Sequence, residues 1–240
     1  MQFIDTHIHL QDFKADFALQ VLEEPAVQRV VLISAKMADF AQIATLAEKM
    51  PEKCVPAFGV HPWYWRDGAD VELLQMYLKK FPKALVGEIG VDGIKESPNV
   101  VQHQLFNQQL AVAEEYARSV VVHAARAVMA FFEHEQGLKK VRFVHHGFVK
   151  NRELIKFINK CDGYFGLGAH FLKQEKAAEM FADMPKNRVL FETDAPYQVS
   201  EMGYAEIVQS NLQKLSAICG MPERELEGVL LQNAKDFLRC

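Results

Sequence analysis

The chain predicts an α/β fold: a (β/α)8 TIM barrel, a single domain over residues 1–240, with an extra C-terminal helix. Three observations predict it. Short apolar, β-branched runs recur eight times, beginning at Phe3, Val30, Val55, Leu85, Ser119, Val141, Tyr164 and Val189. Successive starts lie 22 to 34 residues apart, room for a strand, a crossover helix and two short loops, and right-handed crossovers make neighbouring strands parallel. The first run continues into His9-Leu10-Gln11-Asp12-Phe13 rather than a glycine-rich phosphate turn, which argues against the open doubly wound sheet.

In chain order, the run from Phe3 is followed by the second at Val30. A helix with Phe40, Ile43, Ala44 and Ala47 on one face comes next. The third and fourth runs, from Val55 and Leu85, precede a longer helix in which Leu105, Gln109 and Ala113 repeat at i, i+4 with a less apolar stripe. Runs five to eight end in or near histidine, glycine or acidic residues: SVVVHAA, VRFVHHGF, YFGLGA and VLFETDAP. After Met221-Pro222 a last helix begins, with Pro222 suited to its first turn and Leu226, Val229, Leu230 and Phe237 able to pack back on the barrel.

Half the residues are apolar and 24% are charged, the composition of a chain that buries a large core. Twenty-seven basic against 31 acidic residues leave a formal charge of −4, so no general basic field holds a polyanion and any nucleic acid must be gripped locally. Asp5, His7, His9, Asp12, Lys14 and Asp16 exclude a signal peptide or membrane span from the first twenty residues, and a cytoplasmic protein without an obligate protein partner is expected. Cys54, Cys161, Cys219 and Cys240 form no C-x-x-C pair and read as reduced thiols, with Cys240 exposed.

Residues i and i+2 of a strand share a face, so His7 and His9 can offer two imidazoles to one ion. Glu88, His123, His145 and Asp194 fall near the ends of the fourth, fifth, sixth and eighth strands, and all six would meet at the C-terminal mouth of a barrel. Four histidines and two carboxylates exceed what one catalytic ion takes, which indicates two divalent metal ions with Glu88 between them.

DTHIHL (5–10), FGVHP (58–62), VGEIGVD (86–92), VVHAAR (121–126), VHHGF (144–148) and ETDAPY (192–197) together resemble the TatD family of metal-dependent deoxyribonucleases, within the amidohydrolase-like barrels. The resemblance spans nearly the whole chain. It implies that His7, His9, Glu88 and Asp194 hold one metal and Glu88, His123 and His145 the second, with Asp194 orienting or deprotonating the attacking water. It also implies hydrolysis of DNA phosphodiester bonds, of the 3′–5′ exonuclease type, on DNA ends or single-stranded DNA. The ions would be Mg²⁺, Mn²⁺ or Zn²⁺; imidazole-rich sites favour the latter two. Two departures leave a small-molecule ester, amide or lactone as the alternative substrate. Arg126 lies one place beyond the family's H-x-R spacing after His123, and the segment after ETDAPY shortens to QVSEMGY (198–204).

Further residues carry two readings each. His61 either contacts the scissile phosphate or leaving group or fixes its loop. Asp92 either accepts from a ligand histidine or is a turn aspartate. His146 is read as pointing away from the mouth, opposite His145. Trp63-Tyr64-Trp65 can stack a base or pack on the next loop. Lys14, Lys36, Arg66, Lys95, Arg126, Lys150, Arg152 and Lys173 can ring the mouth with positive charge.

Overall fold

A computed structural model describes residues 1–149, 151–198 and 203–239, without the side chains of residues 15 and 16. Lys150, most of the QVSEMGY segment and Cys240 therefore lie outside the described residues. Eight parallel strands follow one another in chain order: β1 Phe3–Ile8, β2 Val27–Ile33, β3 Cys54–Phe58, β4 Leu85–Asp92, β5 Val120–Ala125, β6 Phe143–His145, β7 Tyr164–Leu167 and β8 Val189–Phe191. Just past β8 the circle closes, because the Asp194 N–H donates to the His7 carbonyl at 2.8 Å and the His9 N–H to the Ala195 carbonyl at 2.9 Å.

The helices are α1 Ala15–Glu23, α2 Phe40–Lys49, α3 Val71–Lys80, α4 Val100–Glu115, α5 Val128–Phe132, α6 Glu135–Leu138, α7 Arg152–Lys160, α8 Ala169–Leu172, α9 Ala177–Ala182, α10 Tyr204–Cys219 and α11 Glu223–Leu238. Phe40, Ile43, Ala44 and Ala47 are the buried face of α2, as their spacing predicts. In α4 the stripe is polar for a reason: the buried Gln109 accepts the Val60 N–H at 2.8 Å and donates to the Val60 carbonyl at 3.1 Å. One side chain thus satisfies both backbone groups of the residue before His61.

Strand starts shift by up to three residues, β3 beginning at Cys54, β5 at Val120 and β6 at Phe143, and the largest shift is in β2. β2 starts at Val27, not Val30, because the fully buried Val27 pairs with Phe3. Pro222 caps α11 rather than entering its first turn. α10 follows β8, and α11 is the extra C-terminal helix.

Two apolar layers hold the barrel. One joins strands to helices. The other fills the interior near the strand starts with Ile4, Val31, Val55, Leu85, Val121, Val144, Tyr164 and Leu190, where α11 contributes Ala234, Phe237 and Leu238 as a floor. Polar side chains are thereby confined to the opposite, C-terminal end. Among the described residues no helix is long and apolar enough to cross a membrane.

Candidate metal centre

Strand alternation decides which side chains enter the mouth. Val121 and Leu190 point inward, so His123 two residues on, and Glu192 and Asp194 two and four on, share that inward face. β1 and β4 break the rule. Val86 and Ile89, three apart, both belong to the strand–helix layer, and the register with β5 shifts between them, which turns Glu88 inward. A shift between Asp5 and Ile8 does the same for His7 and His9.

The inward side chains form one continuous cluster. His7 Nε2 lies 3.1 Å from His9 Nε2, and Asp194 Oδ1 is 3.6 Å from each. Glu88 Oε2 stands 3.4 Å from His7 Nε2 and 3.8 Å from His9 Nε2. Its other oxygen, Oε1, faces a different set: His146 Nε2 at 2.7 Å, His123 Nδ1 at 2.9 Å and His61 Nε2 at 3.6 Å. Asp194 adopts φ +50, a left-handed conformation that aspartate tolerates better than most residues, and Gln198 donates to its Oδ2 at 2.8 Å while Oδ1 faces the histidines.

His145, expected in this cluster, is not there. β6 alternates regularly: Phe143 and His145 face the helices, Val144 and His146 the barrel interior. His145 packs edge-on against Phe131 and Phe148, both ring nitrogens lack partners, and burial pushes its pKa down to about 3. His146, read as pointing away, takes the inward place. The other expected residues, His7, His9, His61, Glu88, His123 and Asp194, are brought together.

Three carboxylates support the cluster from behind. Asp92 Oδ2 accepts from His123 Nε2 at 2.9 Å, and Asp92 Oδ1 accepts the Ile94 and Lys95 N–H groups. Burial raises Asp92, but His123 and the Trp63 indole overcome it and hold the carboxyl down to about 2. Asp5 collects Thr193 N–H and Oγ1–H, the His7 N–H and the Tyr204 hydroxyl, tying β1 to the chain after β8. Burial pushes its pKa up to about 6. Glu192 accepts the Gly147 N–H at 2.5 Å, and burial pushes it up to about 8. Asp5 and Glu192 stand inside quoted motifs, but their roles emerge only from the fold.

Do these residues fit divalent cations? Ligand atoms about 2.1 Å from a tetrahedral ion stand roughly 3.4 Å apart. The four donors His7 Nε2, His9 Nε2, Glu88 Oε2 and Asp194 Oδ1 are separated by 3.1 to 3.8 Å where those separations are given above. Glu88 Oε1 lies within 2.9 Å of His146 Nε2 and His123 Nδ1 yet has no aligned hydrogen-bond donor, and those two nitrogens are 3.2 Å from each other, so three ligand-type atoms crowd one spot. Electrostatics agrees. Burial pushes Glu88 upward, but His146, His61 and His7 overcome it and hold the carboxyl well below its usual range. Burial lowers His146, and Glu88 lifts it to about 10. The enclosed carboxylates demand positive charge at this spot, which suits bound cations.

His9, Ala35, His61, Trp63, Tyr64, Glu88, His123, His146, Asp194 and Tyr197 line a cavity of about 170 Å³. Trp63 and Tyr64 of the aromatic triplet reach it, whereas Trp65 donates its indole N–H to Glu96. Lys95 sits 4.0 Å over the Trp63 ring and Lys36 5.6 Å over Tyr64. Arg66 and Arg152 instead pair with Glu96, and with Glu179 and Asp183. Tyr197, missed in the sequence reading, donates its hydroxyl to Asp12 at 2.8 Å from the rim.

The sequence profile of the TatD related DNase family matches residues 4–239. The chain belongs to that family. Among curated relatives, the metal-dependent hydrolase YjjV of Escherichia coli K12, itself named uncharacterized, is 29% identical over 81% of this chain and 80% of its own. Its crystal structure, a TatD homolog, superposes with a TM-score of 0.84 at 25% identity, covering 99% of this chain and 98% of that one. YabD of Bacillus subtilis 168, also an uncharacterized metal-dependent hydrolase, is 26% identical over 98% of both chains. The 3′-5′ ssDNA/RNA exonuclease TatD of Edwardsiella piscicida is 27% identical over 70% of this chain and 68% of its own. This TatD-family chain is thus a metal-dependent hydrolase whose buried His, Glu and Asp clusters form its metal site.

Proposed function

We propose that this chain is a two-metal phosphodiesterase that removes nucleotides from the 3′ end of single-stranded DNA. The observation that carries the reading is Glu88, whose two oxygens face two separate donor sets. His7, His9, Asp194 and Glu88 would hold one ion, and Glu88, His123 and His146 the second, with Zn²⁺ or Mn²⁺ favoured over Mg²⁺ by the imidazoles. Bound divalent cations would supply an acidified water and stabilise the attacking and leaving oxygens.

The protein's residues do the rest. Asp194, steadied by Gln198, accepts the water's proton. His61 Nδ1 accepts the Trp63 N–H, which puts the proton of the neutral ring on Nε2, facing the cavity, where it donates to a phosphoryl oxygen. Burial, and the charge of His123, hold the pKa of His61 well below its usual value, so it acts as a neutral donor. Trp63, Tyr64 and Tyr197 offer faces to the terminal base, and Lys36 and Lys95 offer charge to a flanking phosphate. A cavity of about 170 Å³ suits one chain end rather than a continuous duplex. The exonuclease name of the Edwardsiella relative supports the same substrate class.

The test incubates metal-stripped protein with 3′-labelled and 5′-labelled single-stranded oligonucleotides, restoring Mg²⁺, Mn²⁺ or Zn²⁺. Early loss of the 3′ label is expected. No shortening with any metal, alongside turnover of small phosphate or carboxylate esters, would replace DNA with a small-molecule substrate.

A further inference from the structure

Below the ring of donors lies a buried acidic residue. Glu192 is one alternation step beneath Asp194 and is 1% exposed. Its Oε1 accepts the Gly147 N–H at 2.5 Å and stands 3.8 Å from Nδ1 of His146, while Oε2 has no partner. His146 Nδ1 is equally buried and unpartnered. The chain makes room for this carboxylate: a Cβ at Gly166 would lie 2.1 Å from Glu192 Oε2, so β7 carries glycine where any side chain would expel it. The His146 ring is further confined by parallel stacking on His7, with centroids 3.9 Å apart and planes 14° from coincident.

We propose that Glu192 is the positioning residue of His146. Its carboxylate receives the Nδ1–H and commits the ring to the tautomer whose Nε2 lone pair points at Glu88 and the ion beside it. An imidazole binds a metal through one nitrogen only when its proton sits on the other, and a carboxylate behind the ring fixes that choice and raises the ligand's basicity. The 3.8 Å gap closes by a small rotation of the Glu192 side chain. This inference rests on His146 as a ligand, proposed above, and not on the identity of the substrate.

The test is calorimetric titration of metal-stripped protein with Mn²⁺ and Zn²⁺, comparing wild type, Glu192→Gln, Glu192→Asp and Gly166→Ala. It is paired with ¹⁵N spectra of histidine-labelled, Zn²⁺-loaded protein. Glu192→Gln is expected to weaken one of the two binding events by about 10- to 100-fold and to shift the His146 Nδ1–H resonance upfield. Glu192→Asp should recover part of the affinity, and Gly166→Ala, which displaces the carboxylate without removing it, should show a milder loss. Unchanged affinities and an unchanged His146 resonance in a folded Glu192→Gln protein would overturn the proposal. So would equal weakening of both events with a lowered metal-free melting temperature, which is the signature of packing alone. If His146→Ala binds both ions normally, the ligand assignment fails, and this inference fails with it. If oligonucleotides are not cut but the metal results hold, only the substrate reading fails.

Discussion

Glu88 Oε1 and His146 Nε2 stand 2.7 Å apart at the centre of the barrel mouth, with no hydrogen-bond alignment between them. A buried carboxylate there needs positive charge beside it, and it turns its other oxygen toward His7 and His9. That sharing makes two donor sets into one site.

The neighbouring histidines should separate cleanly. His146→Ala is expected to lose one of two bound ions by elemental analysis, together with most activity. His145→Leu should keep both ions and lose little stability, since the imidazole it replaces has no polar partner among Phe131 and Phe148. Loss of an ion from His145→Leu alone would reverse the assignment.

Asp194→Asn preserves shape but removes the proton acceptor. A fall in kcat of about 10²- to 10⁴-fold with an unchanged melting temperature is the expected result of a steady-state assay. Full turnover in this variant would remove Asp194 from the proton-accepting role.

Gln109 serves the site from outside it. Gln109→Leu leaves the Val60 N–H and carbonyl unpaired in the interior, and equilibrium urea unfolding should show a loss of about 2 kcal/mol. Because Val60 precedes His61, kcat should fall with it, which the same preparation can report.

His134 carries a pH signature. It donates Nδ1–H to Asn107 and accepts from His103 at Nε2, and burial, with the charge of His103, lowers its pKa from 6.5 to about 4. The unfolded chain takes up this proton as pH falls below about 6.5, whereas the folded protein resists until about 4. Folding stability therefore declines across that window and levels off below it. Urea midpoints at pH 7, 6 and 5 should fall more steeply for wild type than for His134→Gln; parallel lines would refute the assignment.

Much of this was legible in the residues. All eight strands lie where the apolar runs place them, and the α2 face is the one its spacing defines. Two adjacent histidines leave the phase of alternation ambiguous, and the fold turns His146 rather than His145 into the mouth. The small inward Val144, set against the bulky Phe143 that packs among helix aromatics, is what fixes it. The turns of His7, His9 and Glu88 into the mouth depend on register shifts that no periodicity announces. Glu192 lies between Leu190 and Asp194 on one face, so its inward placement is readable from alternation, but its proximity to His146 depends on the phase of β6, which the sequence leaves open. Tyr197 reaches the cavity from a loop, where spacing carries no facing information.

Whether Glu88 serves two ions at once is read by electron paramagnetic resonance of the Mn²⁺-loaded protein. If Glu88 serves both donor sets, two bound Mn²⁺ should give the multiline spectrum of a spin-coupled pair, and Glu88→Gln should abolish it. A spectrum of isolated Mn²⁺ at two equivalents per wild-type chain would mean that Glu88 does not join the two donor sets.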